Sequence, residues 1–226
     1  MKISLSLALL CLLFAGASQA APPLPADPKQ ARAVQDYLRQ AQAEEGRDRD
    51  ERVAARIDAL TSNPGSPVIA NPQGDITIVE FFDYTCPYCK AAEPRLMRLA
   101  DGDKRIKLVM KEFPILTRAS MIASRMALAA AKQGKYRAFH LALMRRDGVL
   151  DEAGILETAK AVGLDMARAR RDMNAPDVSD EIIANFNLAR AIRAFQTPTY
   201  IVGAHIVSGD SADIDFAKEV ARAKAR

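Results

Sequence analysis

The sequence predicts an α/β protein in which a short mixed sheet is interrupted by a block of helices and preceded by a helical arm. Three observations carry that expectation. Two buried-strand patterns, Ile76–Phe81 and Arg105–Phe113, flank a helical stretch that opens at Cys86-Pro87-Tyr88-Cys89. Residues 118–195 contain no strand pattern, only amphipathic segments. Thr199–Val202 and His205–Ser208 then read as a hairpin across Gly203-Ala204, with a last helix capped by Ser211 or Asp213.

Residues 1–20 have the pattern of a cleavable targeting segment. Lys2 supplies a positive start, Ile3–Phe14 is almost continuously apolar, and Ala17-Ser18-Gln19-Ala20 offers small residues for cleavage. The apolar run is short for a membrane span. Cys11 lies inside it behind Leu10 rather than a small residue, which argues against lipoprotein processing. Cleavage after Ala20 leaves two cysteines and removes one of the charges behind the net +4.

Residues 21–28 are proline-rich and read as an extended start. Lys29–Leu60 is helical in composition and has no proline. Val34, Tyr37, Leu38 and Ala41 make one apolar stripe; Val53, Ile57 and Leu60 make another, out of heptad step with the first. Two helices with a hinge near Gly46 are expected, forming a 21–63 arm that could serve oligomerisation. Residues 62–74 are rich in turn formers and read as a connector to the main domain, 64–226.

Strand Ile76–Phe81 runs into Asp83-Tyr84-Thr85 and then the C-x-x-C, after which Lys90–Leu99 is helical in composition. A strand, two cysteines at this spacing and a helix make a thioredoxin-type redox arrangement. Cys86 would be the N-cap and Pro87 the first helical residue, where a missing N–H costs nothing. Orphan N–H groups and the helix dipole there favour a thiolate. Cys86 is therefore the expected nucleophile, with a lowered pKa and a sulfur open to solvent, and Cys89 the resolving thiol. A structural disulfide across so short a loop would gain little chain entropy. A zinc site would need more ligands than His140 and His205, which are far apart in sequence.

Beyond the second strand, helices are expected around 119–132, 136–146, 152–162, 166–173 and 178–195, punctuated by Gly134, Gly148, Gly163 and Pro176. The order β-α-β, helical insertion at about 118–195, β-β-α describes a thioredoxin fold interrupted by a helical domain.

Thr197-Pro198 stands immediately before the third strand. Next to a C-x-x-C this bond is expected to be cis, leaving the preceding backbone free to pair with an extended substrate; alone it would read as a trans proline starting an edge strand. Thr197, Pro198, Pro87 and Tyr88 are the expected substrate-facing residues. Glu80 is an acid in an apolar strand. Either it is buried and exchanges a proton with Cys89, or it sits on an exposed face. Lys111 and Glu112 could join the same polar network or be solvated charges. His140 and His205 read as packed or surface histidines, and Met110, Met121, Met126 and Met144 as core filling. No Lys/Arg block with interleaved aromatics supports nucleic-acid binding.

Phe81-Phe82-Asp83-Tyr84-Thr85-Cys86-Pro87-Tyr88-Cys89 together with Thr197-Pro198 resembles the DsbA-like thiol–disulfide oxidoreductases, and within them the Com1/ScsC-type branch. The resemblance spans residues 64–226. It implies Cys86 as nucleophile, Cys89 as resolving thiol, Thr197-Pro198 as the cis-proline loop and Glu80 as the buried acid. It also implies no cofactor beyond a Cys86–Cys89 disulfide, cysteine-bearing protein substrates, a membrane redox partner and a periplasmic location. DsbA itself has histidine and valine where this chain has Tyr88 and Thr197; threonine before the cis-proline is also found in members that isomerise or reduce disulfides. Residues 29–62 resemble the oligomerising extension of ScsC-like proteins, some of them implicated in copper tolerance. The expected activity is formation or reshuffling of disulfides. The alternatives are a module binding Cu(I) through the reduced thiols and an interaction protein that works through its arm.

Overall fold

The computed structural model describes residues 28–208 and 214–224. The targeting segment, most of the proline-rich start, Ser211 and Asp213 lie outside them, as do the side chains of Val34, Tyr37, Leu38 and Ala41. Two units are distinguished, one ending at Ala43 and the other running from Glu44 to Arg226.

Helix α1 covers Pro28–Ala54, through Gly46, so the expected hinge is not there. One helical glycine costs only about 1 kcal/mol, and Arg52 bridges Asp48 one turn earlier at 2.9 Å. The break falls at residues 55–56, before the short α2, Ile57–Thr61. Val53 and Leu60 pack against the sheet rather than forming part of a separate arm. The expected connector is also more than a linker. Val68 bridges Val109 antiparallel, with Ile69 N–H donating to the Leu108 carbonyl at 3.0 Å and Met110 N–H to that of Pro67 at 2.8 Å.

The sheet has the order β2-β1-β3-β4. Strand β1, Ile76–Phe82, runs parallel to β2, Ile106–Glu112. It runs antiparallel to β3, Thr199–Val202, which pairs with the edge strand β4, His205–Ser208. Both faces are covered, which is why β1 reads as a nearly unbroken apolar run. Ile78, Phe82, Leu108, Met110, Tyr200 and Val202 belong to the larger core, with α3 (Pro87–Gly102) and the inserted helices. Val79, Phe81, Val109 and Ile201 face the other way, toward Val53, Leu60, Ala189 and Ile192. The period of two puts Glu80 on the face of Ile78 and Phe82.

The insertion comprises α4 (Arg118–Ala131), α5 (Tyr136–Met144), α6 (Glu152–Ala161), α7 (Met166–Asp172) and α8 (Pro176–Ala191). Thr117 and Ser120 close a capping box at the head of α4. Helix α8 starts two residues earlier than expected because Pro176 occupies its first turn. It ends before residue 195 because Arg193 takes φ 57°, a left-handed stop usually made by glycine. The last helix, α9, is Phe216–Lys224. The residue at its head is Asp215, whose Oδ1 accepts the Lys218 N–H at 3.0 Å, rather than Ser211 or Asp213.

Candidate active site

Cys86 is the N-cap of α3, and Pro87 opens the helix. Its sulfur accepts the Cys89 backbone N–H at 3.2 Å. The thiol is lowered to about 6, first by the hydrogen bond with the Cys89 thiol, then by the Thr197 side chain and the backbone N–H groups of Cys89 and Tyr88. Burial opposes this, and so does the Thr197 carbonyl, which takes the Sγ–H of the thiol at 3.4 Å. Cys86 is only 2 % exposed, so the open sulfur expected from the sequence is a correction: the Thr197 carbonyl reaches over it. Thr197-Pro198 is cis, and Tyr88 points outward at 55 % exposure.

Cys89 lies fully inside the core. Burial pushes its thiol up, and the hydrogen bond it gives Cys86 and the charge of Glu80 push it further. Both cysteines are free thiols here. The pair is thus strongly asymmetric, with one thiolate at neutral pH and one protonated thiol. Alkylation of the reduced protein should follow Cys86 alone, rising with a midpoint near pH 6, with Cys89 unmodified in peptide mapping up to pH 9. The folded Cys86 titrates below its ordinary value of 9.0. Its stabilisation of the reduced fold is therefore fully present above pH 9 and lost as the pH falls through about 6.

Glu80 is buried, not on an exposed strand face. Its carboxyl is raised well above the usual range, first by burial and then by the charge of Glu93; Cys86 and Glu112 add to this and Tyr200 opposes it. Tyr200 is its partner across the β1–β3 ladder, yet neither Glu80 oxygen nor the Tyr200 hydroxyl completes a hydrogen bond. Lys111 and Glu112 are both buried but part company. Glu112 lies on the Glu80 side, where its Oε1 accepts the hydroxyls of Tyr136 at 2.7 Å and Tyr84 at 3.2 Å. Lys111 points through the opposite face to Ser66 Oγ at 2.7 Å and the Ala59 carbonyl at 3.1 Å.

Three polar residues at the site carried no assigned role in the sequence. His140 is a packed histidine, as expected, but its Nδ1 meets Tyr84 Oη and its Nε2 meets Glu93 Oε1, each at 3.2 Å. Glu93 follows Cys89 by one helical turn, and that i+4 spacing was the signal that could have found it. Asp83 is the third. Its Oδ1 accepts Thr85 N–H at 2.7 Å, Thr85 Oγ1 at 2.9 Å and Ser120 Oγ at 2.7 Å; its Oδ2 accepts Ile115 N–H and Leu116 N–H, both at 3.0 Å. It ties the loop carrying Cys86 to the loop after β2. His205 is buried elsewhere, its Nδ1 meeting Asp50 Oδ2 at 2.6 Å. Among the described residues, no group of three or more His, Cys, Asp or Glu side chains is placed to hold a metal ion, and no helix is long and apolar enough to cross a membrane.

The sequence profile of the DSBA-like thioredoxin domain matches residues 77–221. A thioredoxin-like oxidoreductase from Silicibacter pomeroyi DSS-3 is similar at 43% identity and TM-score 0.71, covering 75% of this chain and 98% of that one. The catalytic domain of Proteus mirabilis ScsC is similar at 25% identity and TM-score 0.68, covering 78% and 97%. The thiol:disulfide interchange protein DsbA of Bordetella parapertussis is 27% identical over 62% of this chain and 69% of its own length. The chain spans about a fifth of the length of the first curated relatives it matches, which are Na(+)/H(+) antiporters.

Proposed function

The chain belongs to the DSBA-like thioredoxin-domain family, and on that footing we propose that it is an exported thiol–disulfide oxidoreductase acting on cysteine-bearing proteins in the periplasm. The observation that carries the reading is the geometry of the two thiols, with Cys86 at the N-cap of α3 against the Thr197 carbonyl of a cis-proline loop and Cys89 buried behind it, which lowers the first thiol and holds the second protonated. In the oxidising direction a substrate thiolate attacks Cys86 Sγ. The Cys86–Cys89 bond breaks, and Cys89 leaves with its electron pair and takes a proton from Glu80. A second substrate thiolate then displaces Cys86, which leaves as a stable thiolate. In the isomerising direction reduced Cys86 attacks a substrate disulfide, and Cys89 is the escape route for a trapped intermediate.

The cis-proline loop supports the substrate backbone beside the sulfur, with Thr197, Pro198, Pro87 and Tyr88 as its contacts. Exposed Tyr88, between the two cysteines, and Phe195, two residues before Thr197, offer apolar side chains beside it. A membrane redox partner restores the active state. The part of α1 before Glu44 is the segment left to serve oligomerisation, since Val53 and Leu60 are spent on the core.

The test is a ribonuclease pair run with the mature protein in a glutathione buffer. Catalysed reactivation of reduced ribonuclease supports a disulfide donor, and catalysed reactivation of scrambled ribonuclease supports an isomerase. Absence of both, with stoichiometric Cu(I) binding by the reduced protein, would overturn the reading in favour of metal handling.

A further inference from the structure

Behind the two thiols runs an unbroken buried chain: Tyr136 to Glu112 at 2.7 Å, Glu112 to Tyr84 at 3.2 Å, Tyr84 to His140 at 3.2 Å and His140 to Glu93 at 3.2 Å. These are four hydrogen bonds, and each needs one proton. The two phenols and a neutral imidazole bring three between them. The chain therefore holds one proton more, carried by Glu112, by His140 or by Glu93. Passing it from Glu112 to Tyr84, from Tyr84 to His140 and from His140 to Glu93 only flips existing bonds and moves no heavy atom.

We propose that Glu93, His140, Tyr84 and Glu112 form a proton wire whose stored proton decides whether Glu80 serves Cys89 as an acid or as a base. With the proton at the Glu112 end, Glu93 is an anion and holds the neighbouring Glu80 protonated, ready to protonate the departing Cys89. With it at the Glu93 end, Glu80 is free to ionise and accept the proton of Cys89 during resolution. Glu93 and Glu112 are positioning residues here, acting through Glu80. Burial pushes the Glu112 carboxyl up to about 8, although the Ser124, Tyr136 and Tyr84 hydroxyls pull the other way; when Glu112 carries the proton, its bond to Tyr84 runs from the carboxyl to the phenol. One oxygen of each end group, Glu93 Oε2 and Glu112 Oε2, is buried without a hydrogen-bond partner, as are both oxygens of Glu80. The ionisable groups facing the wire are Glu80 from β1, Tyr200 from β3, Asp83 from the loop after β1, and Cys86 and Cys89 from the head of α3. Lys111 faces the other side of the sheet.

The inference rests on Glu80 exchanging a proton with Cys89, and the test separates the two. Oxidised protein is mixed with a reduced, unfolded substrate, and the single-turnover rate is followed from pH 6 to 8 for wild type, Glu80→Gln, Glu93→Gln and Glu112→Gln. A glutamine at 93 can still bond His140 but cannot be an anion. A glutamine at 112 leaves the proton to His140 and Glu93, bonded to each other at the far end, where it offsets the Glu93 charge on either group. Both variants should match wild type at pH 6 and fall about tenfold behind it at pH 8, because Glu80 then ionises at lower pH. Glu80→Gln should be slow throughout. A constant ratio for Glu93→Gln and Glu112→Gln beside a slow Glu80→Gln overturns the wire and leaves the Glu80 role standing. A Glu80→Gln rate equal to wild type removes both. Melting curves show which variants are folded, and Glu112→Gln decides the matter, because the Glu93 charge acts on Glu80 directly whether or not a wire exists.

Discussion

Cys86→Ser is expected to lose both ribonuclease activities by on the order of 10³-fold or more, with its melting temperature within a few degrees of wild type. A serine hydroxyl is not ionised at neutral pH and forms no disulfide, so neither half of the exchange can begin. The same substitution removes the pH-dependent stabilisation of the reduced fold. Reduced wild type and the variant should thus converge in stability as the pH falls to about 6 and diverge above it, following the depressed thiol. A variant that kept a tenth of the activity would place the chemistry at another group.

Asp83→Ala should cost about 3 kcal/mol, read as a drop of roughly 6–12 °C in melting temperature. The carboxylate is buried and accepts from two backbone N–H groups of the loop after β2, from Thr85 N–H and from two hydroxyls. Alanine leaves the three backbone N–H groups without that acceptor, while the Thr85 and Ser120 hydroxyls keep each other at 2.9 Å, and leaving a buried donor unpaired costs more than the net worth of its bond. Asp83 also sets the loop that delivers Cys86, whose N–H donates to the Asp83 carbonyl at 3.1 Å. Activity should therefore fall with stability. Asp83→Asn, which keeps one good acceptor, should recover part of both. A variant melting within two degrees of wild type would mean that the loops are held by their apolar contacts instead.

Much of the fold was legible because its signals are local. The apolar run at Ile76–Phe81, the Pro87 start of α3 and the left-handed glycines 134, 148 and 163 each follow from one short stretch of chain. What could not be read depends on partners far away in sequence. Nothing near Val53 or Leu60 says that their stripe meets Phe81 and Ile192 rather than another helix. Gly46 looked like a hinge because the apolar stripes on either side of it are out of heptad step, yet α1 runs through it and the second stripe meets the sheet. The end of α8 was missed because an arginine, not a glycine, takes the left-handed position.

The site divides in the same way. Cys86, Cys89 and the cis-proline were visible as motifs. Glu80 stood out as an acid among apolar neighbours, but its burial hung on which face of the sheet it occupied. The Glu93–His140–Tyr84–Glu112 chain joins four segments, and no single one of them carries a motif. Lys111 and Glu112 are adjacent in sequence and yet serve opposite faces, as strand periodicity requires once both are buried.

The most direct test of thiol exchange through Cys86 is a trap. Cys89→Ser protein, with the resolving thiol removed, is exposed to a reduced cysteine-bearing protein under mild oxidation, acid-quenched and mapped by mass spectrometry. A stable mixed disulfide linking Cys86 to the substrate, absent with Cys86→Ser and released by dithiothreitol, is the result expected. A Cys89→Ser protein that forms no such adduct, while wild type still catalyses ribonuclease reactivation, would contradict the account.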